Sequence, residues 1–145
     1  RRKMLYFAKV FEVDFIVLDH VSMVVAGTDT DERKDIDKLY EAMTQICVET
    51  GIGIIPIIHL KRVQGKKFNK GDEVELTDLR GSAGAEQMSW NVWALERNQQ
   101  AEDGTKDLVR IRVLKNRTMG FTGLADTLRY DHTTGRLSLH QAEDY

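Results

Sequence analysis

Asp19 closes the apolar run Phe15-Ile16-Val17-Leu18, and His59 closes a second apolar run over residues 52–58. An acid at the carboxyl end of a parallel strand lies where open α/β sheets receive ligands; it reads either as a magnesium ligand, the use this pattern has in P-loop nucleotide hydrolases, or as the cap of a strand-to-loop turn. An imidazole ending the neighbouring strand would give the same rim a second polar group. Together the two describe a phosphate-facing edge, while His20 is expected to pack or hydrogen-bond locally. Directly after His59, Lys61, Arg62, Lys66, Lys67 and Lys70 put five cations into ten residues without an acid, and the next eight residues carry four acids. Cations that follow a site strand point to an anion such as a nucleic-acid phosphate. With Phe68 as its sole aromatic, the run reads as a backbone contact and not as a base-stacking platform.

Other chemistries lack their residues. A phosphate-cradling loop needs glycines followed by Lys and a hydroxyl residue; Gly65-Lys66-Lys67 has Leu60 at the earlier glycine position and no hydroxyl behind it. Neither Gly-x-Gly-x-x-Gly nor Gly-x-Ser-x-Gly occurs, and the four histidines have no metal-site spacing. Cys47 stands alone, which excludes an internal disulfide framework and a cysteine-based zinc site and fits a reducing, intracellular setting.

The elements that would position these residues follow from patterning. A helix ends within residues 4–12, and residues 15–18 form a strand whose continuous apolarity predicts burial on both faces, as in a parallel sheet. Residues 31–50 form the clearest helix, with Ile36, Leu39, Tyr40, Met43 and Cys47 at helical spacing, acids at its start and Gly51 as its stop. Residues 52–58 are a second buried strand, so strand, helix, strand implies a parallel crossover. A charged, Gly-punctuated surface loop follows, then a turn into a short helix reaching about Ser89. Strands at 92–95 and 108–114 come next; Val109, Ile111 and Val113 alternate with Arg110 and Arg112. A final hairpin, 124–130 and 136–139, turns on residues 131–135. The 145 residues suit one domain with a single core, and 41% hydrophobic with 30% charged residues is a globular composition. With 21 basic against 23 acidic side chains the chain is not coated in positive charge. No apolar run approaches the length of about 18 residues that spans a bilayer. The absence of an initial Met suggests a piece of a longer reading frame.

Four segments in order carry a resemblance: Ile16-Val17-Leu18-Asp19-His20-Val21-Ser22, Ile58-His59-Leu60-Lys61, Thr77-Asp78-Leu79-Arg80-Gly81-Ser82, and Ala94-Leu95-Glu96-Arg97-Asn98-Gln99-Gln100. Spread over residues 12–130, they resemble the hexameric replicative DNA helicases of the RecA-like, DnaB-like family, above all the helicase half of phage primase–helicases. The resemblance implies a partial RecA-like P-loop NTPase core: an α/β mixed sheet with parallel buried strands followed by antiparallel hairpins, residues 1–145 being the C-terminal portion of the motor domain. It makes Asp19 the Walker B ligand of Mg2+ and His59 the sensor of the terminal phosphate. Lys61, Lys66, Lys67, Arg80, Gly81 and Gln87 match loops that face single-stranded DNA. Lys115-Asn116-Arg117 matches the family's Lys-x-Arg element, with Arg117 as the arginine finger toward a neighbouring subunit. Arg97 and Tyr130 match side chains that sandwich the base of ATP or another nucleoside triphosphate, a sensible pairing because both planes stack on a purine.

Implied partners are single-stranded DNA, further copies in a hexameric ring, and a primase domain or other replication proteins, in the cytoplasm of a bacterial or phage-infected cell and without a membrane. The family's phosphate loop and catalytic glutamate lie upstream of the position of Arg1, so this chain alone is expected not to hydrolyse ATP. Alternatives are a non-enzymatic single-strand-binding or regulatory remnant and another RecA-like ATPase such as a recombinase; the 78–82 motif and the Lys-x-Arg element disfavour the recombinase.

Overall fold

The computed structural model describes residues 1–26, 31–80 and 83–140. The chain divides into two compact units, Arg1–Lys61 with Leu79–Ser89, and Arg62–Asp78 with Trp90–Tyr145.

The first unit holds α1 (Arg2–Val10), β1 (Phe15–Leu18), α2 (Val21–Val25), α3 (Glu32–Thr50), β2 (Gly53–Pro56) and α4 (Ala83–Met88). Asp31 caps α3 by accepting from the Arg33 N–H at 3.1 Å, and Gly51 ends the helix in the left-handed region at φ 79°, its N–H donating to the Cys47 carbonyl at 2.8 Å. That conformation is why the stop is glycine. The face that α3 buries is Ile36, Tyr40, Met43 and Ile46. Leu39 and Cys47, expected on the same stripe, lie half-buried at its margins. Burial pushes the Tyr40 phenol up to about 12. Because the Asp31 cap satisfies an N–H that the helix cannot, Asp31→Ala should destabilise this unit by about 1 kcal/mol in a urea melt. A change below about 0.3 kcal/mol would show that the first turn is held by other means.

β1 and β2 pair in parallel, with Phe15 opposite Gly53 and Leu18 opposite Pro56. The expectation that both strands are buried on two faces is overturned. Ile16 and Ile54 pack on Ala8, Ile46 and Ile52 between α1 and α3, whereas Phe15, Val17, Ile55 and Ile57 are exposed. A two-stranded sheet with helices on one side covers one face alone. β2 is also shorter than residues 52–58, running from Gly53 to Pro56. Hydrogen bonding continues past it: the Ile57 N–H donates to the Leu18 carbonyl and the Val21 N–H to the Ile57 carbonyl, both at 2.9 Å. The short helix α2 was not anticipated from Ser22 and Gly27. α4 forms where a short helix was expected, and its Gly84 N–H donates to Asp37 Oδ1 on α3 at 3.2 Å.

The second unit is an antiparallel meander of β3 (Asn91–Glu96), β4 (Leu108–Asn116), β5 (Gly123–Asp131) and β6 (Arg136–Leu139), in that spatial order. The single mixed sheet expected from the sequence is therefore corrected to two sheets, one parallel and one antiparallel, among the described residues. The 62–78 loop is fastened to the end of β3: Lys70 bridges Asn98, and Gly71 at φ 84° passes so close that a Cβ there would lie 3.2 Å from the Asn98 Cβ. Among the described residues no helix is long and apolar enough to cross a membrane.

Candidate functional site

Parallel pairing of β1 with β2 brings the two residues singled out at strand ends to one rim. Asp19 follows β1 with its carboxylate exposed, and His59 lies three residues past Pro56, also exposed. The link between them is His20, whose ring meets that of His59 edge-on at 4.2 Å between centroids. His20 stands at the N-terminal boundary of α2 without capping it, and its Nδ1, like Ser22 Oγ, is buried without a hydrogen-bond partner. Two orphaned polar atoms beside an exposed carboxylate suit a ligand-receiving rim, since buried polar groups are normally satisfied. Among the described residues no three His, Cys, Asp or Glu side chains cluster as a metal cage. Magnesium does not need one; it is commonly held by one or two carboxylates plus phosphate oxygens and retained water. The exposed carboxylate of Asp19 is one group of that kind at this rim.

Arg80, expected to face DNA, is exposed and has its Nε 3.3 Å from Glu32 Oε1 on α3, and its backbone N–H donates to the His59 carbonyl at 2.9 Å. Gln87 is exposed on α4, Lys61 is exposed at the end of the first unit's long segment, and Gly81 lies outside the described residues.

In the second unit the cations of the 62–78 loop divide. Lys66 Nζ sits 2.7 Å from the buried Asp78 and 3.2 Å from Glu75, and the Asp78 contact holds its ammonium above the usual lysine range. Asp78 also accepts from the Glu75 N–H, so Lys66 serves the loop's own turn. Lys67 is exposed; its backbone N–H donates to Asp72 at 2.6 Å. Lys115 is half-buried on β4, opposite Val92. Arg117, exposed just past β4, places its guanidinium 5.6 Å from the Trp90 ring centre, and its N–H donates to the Trp90 carbonyl. Arg97 and Tyr130 do come together, with the guanidinium carbon 5.4 Å from the ring centre. A base sandwiched between them needs two van der Waals layers of about 3.5 Å each, or about 7 Å. The pair has the right chemistry in a closed arrangement.

Three groupings escaped the sequence. Glu96 is fully buried and gathers Arg112 Nε at 2.7 Å, Arg110 Nη2 at 3.3 Å and the Val74 N–H at 2.9 Å. Its signal was the alternation of Arg110 and Arg112 opposite β3, which reads equally well as a solvent face. Asp107 meets both Arg97 and His132. Trp90 under Arg117 had no pattern to announce it.

A parallel strand pair with an acid and an imidazole at its carboxyl rim, followed by an antiparallel meander, makes this an α/β chain with one parallel and one antiparallel sheet. Residues 1–137 match the DnaB-like helicase C-terminal domain, and the chain belongs to that family. It is 42% identical over 137 residues to a DNA helicase/primase of Enterobacteria phage T3, covering 93% of this chain and 24% of the phage protein. This chain thus spans about a quarter of that relative's length. Its fold is similar to that of a solved ATPase domain (TM-score 0.70, 20% identity, 88% of this chain and 44% of that one). A DnaB-like replicative helicase studied with its interactions with primase is also similar (TM-score 0.68, 20% identity, 85% and 29% of the two chains).

Proposed function

We propose that this chain is the C-terminal portion of an ATP-dependent replicative helicase motor whose parent moves along single-stranded DNA as a ring and unwinds duplex, working with a primase domain or primase partner. The observation that carries the reading is the shared rim of Asp19 and His59, formed by parallel pairing in a chain of this family. Asp19 would hold Mg2+, which when bound neutralises charge on the transferring phosphoryl group. His59 would donate a hydrogen bond to a phosphate oxygen at the same edge, its ring supported by the edge-on contact with His20. Arg97 and Tyr130 would take the base. Lys115 and Arg117 would serve the nucleotide of a neighbouring copy, where a guanidinium set beyond the end of β4 can reach outward. Lys61 and Lys67 are exposed cations that would meet a DNA backbone; Lys66, engaged by Asp78 and Glu75, would contribute less than its position in the basic run implies.

Titration of a fluorescent single-stranded oligonucleotide at several salt concentrations tests this reading. The purified chain should bind at micromolar affinity or weaker, with each neutralised phosphate adding about 0.7 to the slope of log affinity against log salt. Lys61→Ala and Lys67→Ala should each reduce that slope by about 0.7, and Lys66→Ala by clearly less. Salt-independent binding, or equal slopes for all three variants and the parent chain, would contradict the assignment.

A further inference from the structure

Arg97 is not loosely placed over Tyr130. Its Nε donates to the Lys106 carbonyl at 2.6 Å, and its Nη2 lies 3.4 Å from Asp107 Oδ1. Lys106 and Asp107 belong to the short 3-10 turn Thr105–Asp107 that leads into β4. The same Asp107 Oδ1 is 2.7 Å from His132 Nε2, in the turn between β5 and β6. His132 in turn sets its ring edge-on against Tyr130, 5.0 Å between centroids. That β5–β6 turn is braced: Asp131 accepts from the Thr133 N–H at 2.8 Å and from the Thr134 hydroxyl at 2.6 Å, and the Gly135 N–H donates to the Asp131 carbonyl at 2.8 Å. One carboxylate oxygen therefore ties the support of Arg97 to a fixed point beside Tyr130.

We propose that Asp107 is the positioning residue of a nucleobase slot between Arg97 and Tyr130, and that His132 is the latch that keeps the slot closed. The inference rests on reading Arg97 and Tyr130 as the base-holding pair. Closed, the two groups are 5.4 Å apart, short of the roughly 7 Å a stacked base requires, so the guanidinium must withdraw together with the turn that anchors it. Releasing His132 from Asp107 frees that turn. The charged and titratable groups around the contact are Asp107 and Lys106 on the 3-10 turn, Arg97 after β3, and Tyr130 and Asp131 on the hairpin. Asp131 is engaged by its own turn, so Asp107 is the anion that gains when the imidazole becomes charged. The His132 hydrogen bond, more than any other contact, holds the Asp107 carboxyl below the usual carboxylate range. The contact is therefore both a hydrogen bond and the largest influence on the carboxylate that supports Arg97.

Adenosine is the probe, because it carries no titrating phosphate. His132→Ala should bind up to about fivefold tighter than the parent chain, the size expected of an exposed polar pair. His132→Gln, which can keep a hydrogen bond to Asp107, should fall between the two. Without any ligand, solvent exchange of the Arg97 Nε–H, followed by NMR, should quicken in His132→Ala. Unchanged affinity and Arg97 exchange in His132→Ala would overturn the latch, while loss of binding in Arg97→Ala and Tyr130→Ala would still uphold the slot. Undiminished binding in those two variants, or no saturable binding to any variant, would overturn the slot and the latch with it.

Discussion

Glu96→Ala is expected to destabilise the strand-rich unit by about 3–5 kcal/mol, the cost of removing one partner from a buried charge cluster. The carboxylate has no solvent exposure and sits between Arg112 Nε at 2.7 Å and Arg110 Nη2 at 3.3 Å, and it takes the Val74 N–H at 2.9 Å. Its removal leaves two guanidinium groups and a backbone donor without their shared acceptor. Arg112, held above its ordinary range chiefly by this contact, would keep Glu73, an exposed partner of small worth. The loop that carries Lys66 and Lys67 would lose its tie to β3 through Val74. Glu96→Gln keeps the shape and one acceptor and should cost less. Trp90 and Trp93, the chain's two tryptophans, both lie in this unit, so the fluorescence transition in urea reads its stability. A loss below about 1 kcal/mol in Glu96→Ala would mean that the arginines find water or other acids at no great cost.

Ile46→Ala should destabilise the helical unit by about 2–5 kcal/mol. Ile46 is fully buried among Ala8, Ile52, Met4, Leu5, Ile16 and Ile54, where α1 and α3 close over the parallel strands. Truncation removes three carbons from the place where helix and sheet meet, and neighbours anchored on one helix and two strands cannot collapse fully into the gap. Val48→Ala, at a position 83% exposed on the same helix, is the control and should change stability by less than about 0.5 kcal/mol. The α-helices among the described residues all belong to this unit, so helical circular dichroism reports it separately from tryptophan fluorescence. Equal effects of the two substitutions would show that the core is placed elsewhere.

Local pattern and chemistry made much of this chain readable. The α3 helix announced itself through its acids, its periodic apolar residues and Gly51, all of which act within a few residues of sequence. Asp19 and His59 were readable as strand ends, and their convergence followed from the parallel order of strand, helix and strand. Burial was less readable. An apolar run such as Phe15 to Leu18 says that a strand forms, but how many faces are covered depends on the layers that surround it, and here one face of β1 and β2 is open. The internal partners of the basic run after His59 were hidden for a similar reason. Sequence counts charges, whereas Asp78, eleven residues beyond Lys67, decides that Lys66 is internally paired. Asp107 and His132 were hidden because their meeting needs β4 and β5 to be registered against each other.

The boundaries of the two units interleave along the chain: the backbone passes from one to the other at 61/62, returns at 78/79 and departs again at 89/90. Neither unit can be excised as one uninterrupted stretch. A fragment of residues 1–61 would lack α4, leaving Asp37 without the Gly84 N–H that reaches it from 47 positions away. A fragment beginning at residue 90 would keep Glu96 but lose Val74, whose N–H comes from 22 positions upstream. Closing loops of such lengths adds conformational entropy only logarithmically, so the interleaving is tolerable for the folded state. Its effect falls on dissection and assembly order: each unit is completed by a segment synthesised after part of the other, and their folding histories are braided even where their cores are separate.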